Sequence, residues 1–139
     1  MSTSQTTSHP VSQNHSLAAP TDLLARALMA FIFIMAGYGK IGSFAGTQGW
    51  MESMGVPGIL LYPVVALELF GGIALLIGLK TRLVAFLLAG FCVLSALIFH
   101  NDLANDFNAL AKNLAMAGGF LLLTLHGPGK LSLDAKLAK

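Results

Sequence analysis

Five side chains in this sequence could carry chemistry: Glu68, Lys112, Lys40, Asn113 and His100. A carboxylate, two amines, an amide and an imidazole can together accept, donate and shuttle protons, or hold a polar ligand by hydrogen bonds. All five lie within apolar runs or at their ends. A charge at the centre of a bilayer costs roughly 2.5–3.5 kcal/mol, so a charge kept there should face protein or water. Glu68 lies roughly 13 Å into its run at 1.5 Å per residue, close to mid-membrane. Leu61, Val64, Val65, Gly71, Gly72 and Leu75 share its helical face. Those glycines would let a neighbouring helix or a ligand approach the carboxylate. Glu68 therefore reads either as a proton relay or a hydrogen-bonding group for a quinone-like ligand, or as a structural group, ion-paired or protonated and hydrogen-bonded between helices.

Lys112 is the expected partner of Glu68. It shares a face with Asn108, Ala115, Met116 and Gly119, and small residues mark a packing face. The plainer alternative is that its amine snorkels to the membrane surface. Asn113, about 100° around the same helix, would bond between helices. Arg26 and Lys40 lie on one stripe with Ala30, Phe33 and Gly37 between them. Arg26 is expected to pair with Asp22 at the surface, and Lys40 to snorkel. His100, beside Asn101 and Asp102, would shuttle protons or serve as a cap.

These positions need a lipid-embedded scaffold. The chain has 139 residues, of which 55% are hydrophobic and 10% charged, with a mean hydropathy of +0.76. A soluble domain carries about a quarter charged residues, so a water-soluble enzyme is excluded. A net charge of +2 is too small for a nucleic-acid-binding surface. Four apolar segments, 21–41, 59–79, 82–100 and 107–126, each approach the ~20 residues that cross a hydrocarbon core. The expected fold is an all-α integral membrane four-helix bundle. Residues 1–20 hold no Lys, Arg, Asp or Glu and read as a disordered polar tail. Residues 21–127 form the membrane domain, and 128–139 a short C-terminal tail.

The connections fit this scheme. The glycine-rich 42–58 stretch reads as a loop with an interfacial helix near 48–54, and Trp50 and Tyr62 read as interface anchors. Lys80-Thr81-Arg82 is tight enough to make segments two and three an antiparallel hairpin. Asp106 or Asn105 should cap the fourth helix. Gly71-Gly72 and Gly118-Gly119 sit at similar depths in the second and fourth segments. They record either a duplicated helix pair or the recurrence of small residues where helices pack. Six cations, Arg26, Lys80, Arg82, Lys130, Lys136 and Lys139, fall on the side of the termini, against Lys40 and Lys112 on the other. The positive-inside rule then puts both termini in the cytoplasm. No metal site and no covalently bound cofactor are expected. Cys92 has no intrachain partner and reads as a small buried hydrophobe. Haem is not expected either, because His100 and His126 sit at opposite membrane faces.

Three stretches resemble the DoxX family of small four-span bacterial membrane proteins. They are Phe33 to Lys40 (FIMAGYGK within FIFIMAGYGK), Glu68 to Gly78 (ELFGGIALLIG) and Lys112 to Gly119 (KNLAMAGG). The closing GPGKLSLD from Gly127 is of the same type. Lys40, Glu68, Lys112 and Asn113 fall inside these motifs. The resemblance implies a link to quinone-coupled oxidoreductase systems, and to membrane complexes handling oxidative or thiol stress. It implies quinone as the ligand class, in the bacterial inner membrane, with other membrane or redox subunits or further copies of the chain as partners.

Three functions compete at this point. One is an accessory subunit of a redox complex, not an enzyme on its own. Another is a small channel or transporter with the polar cluster lining its path. The third is an assembly protein docking a partner through Gly/Ala faces.

Overall fold

The computed structural model describes residues 15–139. Helix α1 spans His15–Gly42, α2 Phe44–Ser53, α3 Leu61–Ile77, α4 Thr81–Phe99, α5 Phe107–His126 and α6 Leu133–Leu137. A single 3-10 turn, Gly58–Leu60, leads into α3. Helices α1, α3, α4 and α5 are long and apolar enough to cross a membrane. The chain is an all-helical, membrane-spanning four-helix bundle, with no strand among the described residues. Large side chains such as Phe70, at 71% exposed, point outward. That suits a hydrocarbon solvent and no aqueous one.

Helix α1 begins six residues before the expected start at 21. Leu17, Ala18 and Ala19 favour helix, and Pro20 removes a single backbone donor near the helix start. Residues 1–14 lie outside the described residues. The interfacial helix expected near 48–54 is present as α2 but starts at Phe44. Gln48 ties it down by donating to the Gly58 carbonyl at 3.1 Å.

Helices α3 and α4 are joined by the expected tight turn, yet their main packing partners are others. Helix α1 lies along α3, and α4 along α5. Small residues decide this. A Cβ at Gly72 would stand 2.7 Å from Ile34 Cγ1, and one at Gly37 would stand 2.8 Å from Leu69 Cγ. Only glycine at these two positions lets α1 and α3 approach so closely. Gly119, at the place matching Gly72 in the second Gly-Gly pair, would put a Cβ 3.2 Å from Met29 Cε, the mobile end of a side chain, and Gly118 meets nothing within 4 Å. The two pairs therefore pack differently. Phe33 stitches the helix pairs together through edge contacts with Phe120 at 5.3 Å and Phe91 at 6.3 Å. Around it the core is built of Ala30, Leu75, Ala85, Leu88, Cys92 and Ala117.

Arg26 departs from expectation. It is fully buried rather than paired at the surface. Its guanidinium donates to the carbonyls of Leu75 at 3.1 Å and Leu76 at 3.0 Å, and to that of Leu131. The last carbonyls of a helix lack intrahelical partners and carry partial negative charge, so a cation suits the end of α3. The chain after α5 folds back over this point. Asp134 accepts from the backbone N–H groups of Lys80 at 2.7 Å and Thr81 at 2.8 Å. It thereby caps α4, whose preceding residue Lys80 sits in the left-handed region at φ 47°. Burial pushes the Asp134 carboxyl up, but the donors of Thr81 and Lys80 outweigh it and hold the group below its ordinary 3.8.

Candidate functional site

At the end of the bundle away from the termini, the stripe on α1 meets the face of α3. Arg26, Ala30, Phe33 and Gly37 are all buried along that stripe, and Lys40 follows in the last turn of α1. On α3, Leu61, Val65, Glu68, Gly72 and Leu75 are buried together, as the helical period requires. Because Gly37 has no Cβ, α1 runs directly over the Cβ of Glu68. Lys40, almost one turn further on, then reaches the carboxylate. Its Nζ donates to Glu68 Oε1 at 2.9 Å. The Glu68 side chain is 4% exposed and that of Lys40 28%. The second carboxylate oxygen, Oε2, is buried without a hydrogen-bond partner among the described residues. Such an atom is rare in a folded protein and asks for a donor.

Glu68 lines a cavity of about 310 Å³, at the lower end of the range for small-molecule sites. Lys40, His100, Lys112 and Asn113 line the same cavity. The structure thus gathers all five singled-out residues, but their pairings differ from those expected. Lys40, not Lys112, holds Glu68. Helix α5 packs on α4 rather than α3, which leaves Lys112 exposed at the rim with no hydrogen-bond partner among the described residues. Asn113 donates to the Ala109 carbonyl of its own helix at 3.0 Å, not across helices. His100 Nδ1 pairs with Asp106 Oδ2. That pairing draws the Asp106 side chain away from the cap role expected of it, and α5 starts without a side-chain cap. Asp102 instead organises the turn, accepting from the side chain and N–H of Asn105 and from the N–H of Ala104. These bonds, the Asn105 side chain foremost, hold its carboxyl below the ordinary range.

The remaining walls escaped sequence reasoning. Thr47, Trp50 and Met51 of α2 fold over the cavity, and Phe91, Ser95 and Phe99 close it from α4. Trp50 stacks on Phe99, with ring centroids 4.7 Å apart at 29°. Its sequence signal was that of an interface anchor, and at 47% exposed it keeps one side free for that role. Aromatic walls, one free buried acceptor and two amines suit a flat ligand that both donates and accepts hydrogen bonds.

The DoxX family model matches residues 21–101. The chain is 51% identical over 119 residues to "Inner membrane protein YqjF" of Escherichia coli (strain K12), covering 84% of this chain and 92% of that protein. It is 36% identical over 123 residues to "Inner membrane protein YphA" of the same organism, covering 82% of this chain and 88% of that one. It is 37% identical over 67 residues to "Putative oxidoreductase CatD" of Bacillus subtilis (strain 168), covering 48% of this chain and 50% of that protein. No solved structure matches it.

Proposed function

We propose a function from one premise: the chain belongs to the DoxX family. On our reading it is an inner-membrane protein, as its two E. coli relatives are named, with both termini in the cytoplasm. The cation asymmetry across the bundle supports that orientation. Within the membrane it serves as an accessory subunit of a quinone-linked redox complex, binding the quinone head in the Glu68 cavity. One relative's name as an oxidoreductase supports the redox setting.

The observation that carries this reading is the unpartnered Oε2 of Glu68 beside a cavity with aromatic walls. A quinol hydroxyl donates to that oxygen, while the Lys40 ammonium holds Oε1 and so fixes the carboxylate plane. A quinone carbonyl instead accepts from Lys112 or Lys40. The chain's own part is to bind the head, orient it and take or return a proton at Glu68. The two electrons, and the second of the two protons, pass to the redox-active partner subunit.

Trp50 is the single tryptophan and lines the cavity, so its fluorescence reports occupancy. Titrating decylubiquinone into protein in nanodiscs should quench it saturably. In Glu68→Gln the reduced form should bind about 10- to 100-fold more weakly, the worth of one hydrogen bond to a charged group. Equal affinity in both proteins, or no saturable quenching in either, overturns the proposal.

A further inference from the structure

Beside the polar cavity runs a second hollow of about 270 Å³, between α3 and α4. Apart from Ser95, every residue lining it is apolar. Leu60, Pro63 and Leu67 form one side, Leu94 and Ile98 the other. The two hollows are not independent. Met51, Val64, Phe91, Ser95 and Phe99 line both, so one layer of side chains is all that divides them. The apolar hollow opens sideways, since Leu60 is 46%, Leu94 60% and Ile98 40% exposed within the membrane-spanning segments. Its mouth therefore faces hydrocarbon, not water.

We infer that this groove holds the hydrocarbon tail of a ligand whose head occupies the Glu68 cavity, and that the ligand enters from the lipid between α3 and α4. This deepens the proposed reading of the Glu68 site and rests on it. The occupant follows from the joined chemistry. A polar chamber with a buried free acceptor adjoins, across one thin layer of side chains, a groove whose single polar side chain, Ser95, lies in that shared layer. An amphiphile with a hydroxyl-bearing head and one unbranched or isoprenoid tail matches both halves. A water-soluble ligand would leave the groove to lipid. The dividing side chains include two phenylalanines and a methionine, which change rotamer without disturbing backbone hydrogen bonds. The tail exchanges one apolar environment for another, so the groove acts mainly on placement and route, and little on affinity.

The test reads placement. A decyl benzoquinone carrying a photoactivated diazirine at the tail end is added to the full-length protein in nanodiscs, and labelled residues are mapped by mass spectrometry. Labels are expected on Leu67, Leu94 or Ile98, with loss of those labels under excess untagged decylubiquinone. In Leu67→Phe, which fills the groove, does not line the head cavity and leaves Trp50 the single tryptophan, these labels should be lost while a tailless benzoquinone still quenches Trp50. The wild-type map stands whether or not that variant folds. Saturable Trp50 quenching with labels elsewhere, or with groove labels that excess ligand does not displace, overturns the tail assignment and leaves the head site standing. If neither tailed nor tailless quinone quenches Trp50, the underlying reading falls and this one with it.

Discussion

Removing Lys40 should harm this protein more than removing the carboxylate it holds. In Lys40→Met, Glu68 keeps its 4% exposure and loses the donor at 2.9 Å, so both oxygens are left unpaired in the bundle. Breaking a buried ion pair from one side costs about 3–5 kcal/mol. Because the Lys40 side chain is 28% exposed, its charge is partly relieved already, and the lower end, about 3 kcal/mol, is expected. Glu68→Gln should cost only about 1 kcal/mol, since the Lys40 amine can turn toward the membrane surface and the amide still accepts a bond. The double variant should resemble Glu68→Gln alone, which makes the pair strongly non-additive. Lys112→Met, at the exposed rim, should change stability by less than ~0.5 kcal/mol. The assay is reversible unfolding by SDS in mixed micelles, followed by helical circular dichroism. If the two single changes add to within about 0.5 kcal/mol, or if Lys112→Met matches Lys40→Met, then the pairing of Lys40 with Glu68 is wrong.

Two further predictions concern the scaffold. Asp134→Asn should lower stability by about 1 kcal/mol through the weakened cap on α4. Asp134 titrates below its ordinary 3.8 when folded. The wild-type advantage is therefore fully present above the unfolded pKa, and is lost as pH falls through the folded value. Unfolding curves of both proteins should converge once the pH lies well below the ordinary carboxylate range, and a gap that persists there would refute the cap. Gly72→Ala places a Cβ 2.7 Å from Ile34 Cγ1, 3.2 Å from Ile34 N and 3.3 Å from the Ala30 carbonyl. It should cost about 1–3 kcal/mol by forcing α1 from α3. Gly118→Ala meets nothing and should be neutral or stabilising by up to ~1 kcal/mol. Equal behaviour of the two in the same unfolding assay would contradict the close approach of α1 and α3.

Much of this protein is written locally. A bilayer admits only segments whose backbone bonds are satisfied internally and whose side chains are apolar for about 20 residues. The four spans are therefore legible from composition alone, and 107–126 agrees to the residue. The helical period is local too. It places Leu61, Val65, Glu68, Gly72 and Leu75 on one buried face and brings the five polar residues to one end. What stays illegible is choice among partners at equal depth. Lys40 and Lys112 lie at the same end of the bundle, and only the packing of α1 on α3 and of α5 on α4 awards Glu68 to Lys40. Arg26 reads as a surface residue because its partners lie 49, 50 and 105 positions away. Its burial depends on where the C-terminal segment comes to rest. Helix α2 likewise becomes a wall of the cavity only by folding over α3 and α4. The membrane sets the length and polarity of each element one at a time. Pairing is a property of the assembled bundle, decided where glycines let two helices meet.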